Sequence, residues 1–352
     1  MKQRAIVLTI FLLATCLMLT ACSDMAMGGL LQELFSELGA NVDNIPEEVS
    51  QLIESIPEDL SIPEDFTVTI PEDFTVSDTI ESDTTNLDTT EPETTEPKPE
   101  LIPSQGLKFE SNGDGTCRVV GIGTCTDTDI VIPSVSPNGE RVTSIGRYAF
   151  ENCSSLTSIV IPDGVTSIGD SAFQGCSSLT SIVIPGSVKT IDSNAFYSCS
   201  GLTSIVIPDG VTSIGYQAFY GCSSLTSIVI PDGVTSVGYS AFQDCASLTS
   251  IVIPDGVTSI SLCAFFNCSN LTSIVIPDSV TSIGVGAFAV CSGLTSIVIP
   301  DGVTSIDVMA FYSCSGLTDV YFTGTEQEWE AITLGTDNDC LTNATIHFNY
   351  QP

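Results

Sequence analysis

A unit of 23 residues that repeats with few changes constrains this chain more than any other feature. The copy at 156–178 reads LTSIVIPDGVTSIGDSAFQGCSS. A fixed period of about 20–50 residues indicates stacked repeats, in which each unit buries its apolar side chains only against its neighbours. The sequence therefore predicts a repeat solenoid. Three columns recur at this period: Leu156 to Leu317, Phe150 to Phe311, and Cys153 to Cys314.

One coil of this solenoid divides into three short segments. Residues 156–161 alternate as a β-strand, and the Pro162-Asp163-Gly164 sequence that follows supplies turn chemistry. Residues 165–169 form a second extended segment, and 172–176 predict a single turn of helix that leads into the next coil. The fold class is therefore mainly β. The side chains expected to point inward are Leu156, Ile159, Ile161, Val165, Ile168, Ala172, Phe173 and Cys176.

Both ends of the repeat array differ from the consensus, as terminal repeats usually do because one side meets water. Residues 106–126 are predicted to be an N-terminal cap, with a hairpin turn at 112–115 (Asn-Gly-Asp-Gly). The solenoid is assigned to 127–316. Residues 317–352 are predicted to be a C-terminal cap containing a strand, a short helix that begins near Glu326, and a last strand at 345–348.

The charge balance excludes some classes of partner. The chain has 43 acidic and 8 basic residues, a formal net charge of −35, and no Lys or Arg follows Lys189. Nucleic acid and anionic membrane surfaces both require cationic side chains. We therefore expect no nucleic-acid binding, and no contact between the folded part and an anionic membrane.

The N-terminus has the pattern of an export signal. Lys2 and Arg4 precede an apolar run that ends near Leu19, which is shorter than the roughly 20 residues of a membrane-spanning helix. The following sequence, Leu-Thr-Ala-Cys at 19–22, resembles the lipobox of bacterial lipoproteins. That resemblance implies cleavage before Cys22, a lipid on Cys22, and attachment to a membrane through that lipid. Residues 1–22 are therefore assigned as a lipoprotein signal peptide.

Residues 23–105 lack the composition of a packed domain. A cluster of leucines predicts a possible short helix near 29–40, and after it come Ile-Pro-Glu-Asp motifs and a Thr-, Glu- and Pro-rich run. Proline removes hydrogen-bond donors and clustered carboxylates repel one another, so little offsets the entropy of ordering this segment. The prediction is a disordered acidic tether, either a spacer from the membrane or a linker of unconstrained length.

The repeat pattern LxxIxIPxxVxxIGxxAFxxCxx closely resembles the BspA-like (type 5) leucine-rich repeats of bacteria over about 127–320. The resemblance implies a curved β-solenoid on a bacterial cell surface and an association with adhesion to host proteins or other bacteria. It implies no enzymatic activity and no cofactor. The copies here are nearly uniform, so few positions remain to encode a particular ligand.

The cysteine column has two interpretations. Stacked cysteines about 5 Å apart could form a metal or redox ladder, or they could be buried free thiols. Because no histidine column accompanies them, a zinc site is disfavoured and free thiols are expected. Cys117 and Cys125 lie close enough in sequence to form a disulfide in the predicted hairpin, and that alternative remains open.

Acidic and histidine side chains raise two further possibilities, a metal site and catalysis. A turn column of aspartates, Asp163, Asp209, Asp232, Asp255, Asp278 and Asp301, could bind calcium or could simply form good turns. Triad chemistry would have to use His347, the only histidine, in a predicted terminal strand. We therefore predict neither a metal site nor an enzyme.

Two sets of positions are candidates for binding. Aromatic residues concentrate at positions that vary between copies, where they could form an exposed contact patch or could pack on neighbouring coils. The outward valines of the strands could hold a ligand or could reflect strand propensity. The expected function is non-enzymatic adhesion to a protein or glycan outside the cell, and the alternative is a self-associating spacer with no specific ligand. The aromatic candidates are Tyr197, Tyr216, Tyr220, Tyr239, Phe266 and Tyr312, and the valines run from Val160 to Val298.

Overall fold

The fold is a stack of β-coils, and the computed structural model describes residues 102–351 of it. Successive coils are 23 residues apart, as the hydrogen bond from Thr180 to Thr157 shows. Each coil has a strand on the front, a shorter strand on the back, and a series of turns that connects the back to the next front strand. The prediction of a mainly β solenoid is confirmed.

The front of the stack is one ten-stranded sheet, which we call the front sheet. Its strands pair in parallel and in register, so equivalent residues of neighbouring coils lie side by side. Its strands are β3 (Asp129–Val131), β5 (Ser158–Val160), β7 (Ser181–Val183), β9 (Ser204–Val206), β11 (Ser227–Val229), β13 (Ser250–Val252), β15 (Ser273–Val275), β17 (Ser296–Ile299), β19 (Asp319–Phe322) and β21 (Thr345–His347).

The back strands form two sheets instead of one. The first has seven strands, and it begins with the antiparallel hairpin that the Asn-Gly-Asp-Gly sequence predicted. Its members are β1 (Lys108–Ser111), β2 (Thr116–Gly121), β4 (Arg141–Ile145), β6 (Ser167–Ile168), β8 (Thr190–Ile191), β10 (Ser213–Ile214) and β12 (Ser236–Val237). The second has four: β14 (Ser259–Ile260), β16 (Ser282–Ile283), β18 (Ser305–Ile306) and β20 (Thr333–Leu334).

The third side of each coil is a series of turns, and the predicted single turn of helix at 172–176 is wrong. Alternate amides have different acceptors there: Phe173 N–H donates to Ala195 O of the next coil, whereas Cys176 N–H donates to Phe173 O of its own turn. A helix would direct every amide back along its own chain. Residues with positive φ, such as Ser171 and Gly175, turn half of the amides toward the next coil instead.

The core runs the length of the stack as columns of identical side chains, and all eight predicted inward positions of the coil at 156–178 are buried. The phenylalanine rings, from Phe150 to Phe311, stack with centroids 5.3–5.6 Å apart. Aromatic pairs at such spacing contribute about 0.5–1.5 kcal/mol beyond the area they bury. The hydrophobic repeat thus fixes the coil, because each ring is covered only when the next coil is in place.

At the C-terminal end the front sheet continues through β19 and β21, as predicted. Helix α1 (Glu326–Glu330) begins with a capping box between Thr325 and Glu328, and Trp329 packs edge-on against Phe322 at 5.2 Å. The sequence did not predict β20 or helix α2 (Asp339–Asn343). The cap boundaries at 126 and 317 stay predictions.

Candidate binding surface

The outward side of the front sheet carries a column of valines, exposed from Val160 to Val275 and half-buried at its two ends, which we call the valine stripe. The register places Val131, Val160, Val183, Val206, Val229, Val252, Val275 and Val298 on adjacent strands. Val183 is 75% exposed and Val229 is 68% exposed. Since Ile159 and its equivalents point inward, strand alternation forces the valines outward. The sequence prediction that these valines face outward is therefore confirmed for the stripe.

Hydroxyl groups flank the stripe, and many are already engaged by the backbone. The Thr180 hydroxyl donates to Thr157 O at 3.4 Å, and the Thr203 hydroxyl donates to Thr180 O at 3.1 Å, a pattern that continues to Thr318. These bonds hold the threonine side chains against the sheet. From β5 to β17 every front strand begins Ser-Ile-Val, so these strands contain no ionisable side chain.

Within the front strands, charged side chains appear only where the stripe ends. At one end Asp129 accepts hydrogen bonds from the hydroxyls of Ser158 and Thr157, which lower the pKa of its carboxyl. At the other end Asp319 Oδ1 lies 2.7 Å from His347 Nε2, and this contact, with a second one from Thr318, lowers the pKa of Asp319. The strands from β5 to β17 thus carry no charge between the two acidic ends, and the turn aspartates lie beside them.

The same column ends in aromatic side chains. Tyr321 follows Val298 in register, and His347 follows Tyr321. The Tyr321 and His347 rings stack with centroids 4.7 Å apart, and Tyr350 packs against Tyr321 at the same distance. The one histidine of the chain is therefore occupied by Asp319 and by a ring stack, an arrangement that fixes the last strand of the sheet.

The aromatic candidates do not form one exposed patch. Tyr197 and Tyr220 are only 7% and 4% exposed, and their rings stack on each other at 4.6 Å, so of the two alternatives these tyrosines follow packing on neighbouring coils. Tyr216, Phe266 and Tyr312 are half-buried. Tyr239 is 51% exposed and is the one member of the six that stands clear of the surface.

The physical reason lies in the turn side of the coil. In each coil two residues have positive φ, such as Ser171 and Gly175. The backbone between them directs the side chain at the position of Gln174 toward the neighbouring coils. Tyr197, Tyr220 and Gln243 occupy this intervening position, and all three are buried there. Many of the differences between copies therefore record packing between coils, which the sequence pattern alone did not separate from exposure.

The cysteine column is a ladder of free, hydrogen-bonded thiols. The Cys176 thiol donates to Phe150 O of the preceding coil at 3.1 Å, and the Cys199 thiol donates to Phe173 O at the same distance. Burial raises the pKa of Cys199 to about 12. A neutral, buried thiol is a poor nucleophile and a poor metal ligand, so the column is structural. Cys117 and Cys125 are also free.

The turn aspartates lie on the surface beside the front sheet. Asp209, Asp232 and Asp255 lie at or near the surface, and the turn closes through bonds such as Val211 N–H to Pro208 O. Within residues 102–351, no three Asp, Glu, His or Cys side chains come together in a way that could hold a metal ion. The column is explained by its turn chemistry.

Several predictions lie outside the described residues. These are the signal peptide at 1–22, the lipidated Cys22, the possible helix near 29–40, and the part of the predicted 23–105 tether up to residue 101. At the described end of that segment the prediction of disorder is wrong, because Ser104 N–H donates to Val131 O of β3 at 2.9 Å. In the part of the chain that is described, no helix combines the length and the apolar composition needed to cross a membrane.

A stack of short parallel strands with a leucine and phenylalanine core defines the class of leucine-rich-repeat solenoids. The family model "BspA type Leucine rich repeat region" matches six copies, over residues 125–248 and 235–333. The chain belongs to this family of BspA-type leucine-rich-repeat proteins.

Two solved structures are similar to this one. A leucine-rich-repeat protein of T. pallidum is 31% identical, with a TM-score of 0.50, and the match covers 55% of this chain and 90% of that one. A leucine-rich-repeat protein from Bacteroides ovatus is 28% identical, with a TM-score of 0.51 and coverage of 71% and 79%. No curated protein gives a significant match.

Proposed function

We propose that the protein is a non-enzymatic binding protein, displayed outside a bacterial cell and anchored by a lipid on Cys22. In this proposal it holds its ligand on the valine stripe. The carrying observation is that Val183, Val206, Val229 and Val252 are each at least 68% exposed on adjacent strands of an uncharged sheet. Contiguous apolar surface on a soluble protein is typical of interaction sites.

The chemistry of the stripe favours a protein ligand over a glycan. Valine side chains offer no hydrogen bonds, and the neighbouring Thr203 and Thr226 hydroxyls already donate to backbone carbonyls. An apolar segment of a protein gains free energy by covering such a surface, whereas the valine side chains themselves offer sugar hydroxyls no hydrogen bond. Tyr239 is exposed but lies outside the stripe, so we expect it to contribute little to ligand binding.

Catalysis is not part of the proposal. The buried thiols have raised pKa values, and His347 is engaged by Asp319 and Tyr321. Membership in a leucine-rich-repeat family, whose solenoid typically serves binding, is consistent with this assignment. Export and anchoring depend on the lipobox-like sequence at 19–22.

The direct test is a binding screen of the full chain against extracellular-matrix proteins and glycans, with a matched pair of variants. Val206→Asp places a carboxylate in the stripe, and Val206→Thr is nearly isosteric. We expect at least one protein ligand, binding weakened by about tenfold or more in Val206→Asp, and little change in Val206→Thr. If the wild type and both variants bound equally well, the valine stripe would not be the binding site.

A spacer with no ligand is the competing function, and the exposed stripe could then cover a second copy. Light scattering separates the two. If the protein remains monomeric at high concentration and binds one of the matrix proteins or glycans, the result supports the ligand-binding function. A dimer that Val206→Asp dissociates, with no panel binding, supports self-association instead.

The anchor has its own test. Cells grown with a labelled fatty acid should incorporate label into the wild-type protein and none into a Cys22→Ala variant, which should leave the membrane fraction. A Cys22→Ala protein that is still labelled would contradict lipidation at this residue.

A further inference from the structure

The back of the stack is interrupted once, between Val237 and Ile260. The seven-stranded back sheet ends at β12, and the four-stranded one begins at β14. In the described chain from β2 to β20, all the remaining pairs of neighbouring back strands are hydrogen-bonded. We call this place the back break.

Two backbone hydrogen bonds are absent at the back break. In the preceding coil, Thr235 N–H donates to Thr212 O at 3.1 Å and Gly238 N–H donates to Ile214 O at 2.9 Å. The equivalent amides, Thr258 and Ser261, make no such bond among the described residues. The pattern resumes in the next coil, where Thr281 N–H donates to Thr258 O at 2.9 Å.

The local sequence explains the interruption. Ser261 stands where most copies have glycine, and its hydroxyl donates to Val237 O at 2.7 Å, the acceptor that its own amide would use. Serine hydroxyls compete with backbone donors in this way. Asp192 and Asp307 occupy the same column and keep their amide bonds, to Ile168 O and Ile283 O. A side chain at this position therefore does not by itself break the backbone hydrogen bond. Ser261 differs from the two aspartates in having a hydroxyl that donates to the acceptor.

The other two sides of the stack are continuous across the back break. On the front, β11 and β13 pair at three positions. On the turn side, Ser240 N–H donates to Leu262 O and Phe242 N–H donates to Ala264 O, each at 2.9 Å. The Cys268 thiol also donates to Phe242 O across the same junction.

We propose that the back break is a hinge built into the solenoid. Opening the back at this place breaks the hydroxyl bond of Ser261 and spares the two amide bonds that opening any other junction from β4 to β20 would break. Because the front sheet and the turn side remain bonded, the opening leaves β11 paired with β13 and changes the angle between the two halves of the valine stripe. The hinge depends only on the hydrogen bonds of the stack, so it does not require that the stripe bind a ligand.

Hydrogen exchange on the full chain tests this hinge. Pepsin peptides that cover Thr258 to Ser261 should exchange about tenfold faster than the peptides of the neighbouring coils, 235–238 and 281–284. Equal protection in all three coils would overturn the proposal. Pepsin is required because no Lys or Arg follows Lys189.

A matched pair of variants adds a second readout. Ser261→Gly removes the competing hydroxyl and should slow exchange of residues 258–261 to the rate of the neighbouring coils. The control is Asp192→Gly, the same change in the same column of a coil whose amide bond is intact, and it should leave the fast exchange of 258–261 in place. If Ser261→Gly folds, as its melting curve will show, and its exchange is unchanged, the hydroxyl is not the cause and the hinge assignment fails.

Discussion

The backbone N–H of Phe311 donates to Oδ1 of Asn338 at 2.9 Å, so a side chain replaces the backbone carbonyl that receives this amide in the other coils. Phe288 N–H, one coil earlier, donates to Ala310 O. The Asn338 side chain is buried, and its Nδ2 donates to Asp307 O and Gly335 O. Asn338 therefore ends the turn-side ladder by satisfying an amide that would otherwise be buried without an acceptor.

Replacing Asn338 with alanine should lower the free energy of unfolding by about 2–3 kcal/mol, because the buried Phe311 amide and two carbonyls lose their partners. Denaturant unfolding of the full chain measures this change. The control is Asn343→Ala at the exposed end of α2, which should change stability by about 0.5 kcal/mol or less. Equal effects of the two substitutions would contradict the role given to Asn338.

Val290 provides a prediction of increased stability. It is a β-branched residue at φ 62°, where the equivalent residues Gly175 and Gly221 are glycine. Left-handed backbone costs a non-glycine residue about 1–2 kcal/mol, and glycine's greater entropy in the unfolded chain offsets part of that. We expect Val290→Gly to stabilise the protein by about 0.5–1 kcal/mol.

The melting temperature of Val290→Gly, compared with that of Ala289→Gly, measures the effect. Ala289 is buried and has no positive φ, so its replacement by glycine should destabilise the protein by about 1 kcal/mol. If both glycine substitutions lower the melting temperature, the left-handed backbone at Val290 does not reduce the stability of the protein as proposed.

The thiol column predicts loss of stability in alkaline solution. Burial raises the pKa of Cys199 and of Cys291 to about 12, whereas free thiols ionise near about 8.5. Between about pH 8.5 and 12 the unfolded chain therefore releases protons that the folded chain retains. Stability is complete below that window and falls as pH rises through it, by up to about 1.4 kcal/mol per pH unit for each such thiol.

Denaturant unfolding at several pH values checks this dependence. Cys199→Ser keeps a donor for Phe173 O but cannot ionise in this range, so its stability should fall less steeply with pH than that of the wild type. Parallel slopes for the two proteins would show that the Cys199 thiol does not contribute to the alkaline transition.

The sequence predicted which side chains point inward because burial repeats every coil. Leu156, Ile159 and Phe173 carry that signal in one copy, and all three are buried. The hairpin of β1 and β2 and the outward direction of Val183 followed from turn chemistry and strand alternation in the same way.

The hydrogen-bond acceptors of the turn side could not be read from the pattern. An Ala-Phe-x-x-Cys segment suits a helical turn, and only the positive φ at Ser171 shows that its amides serve the next coil instead. For the same reason the sequence left open whether Tyr197 and Tyr220 are exposed or packed, since variation between copies looks the same in both cases. The role of Asn338 was invisible because its partner Phe311 is distant in sequence.

Binding through the valine stripe is measured by comparing Val229→Asp with Tyr239→Ser. Each variant is tested against the extracellular-matrix protein that the wild-type chain binds best. Both side chains are exposed, one in the valine stripe and one on the turn side. We expect Val229→Asp to raise the Kd by about tenfold or more, whereas Tyr239→Ser should change it by less than about threefold. A large loss in Tyr239→Ser with none in Val229→Asp would contradict binding through the front sheet.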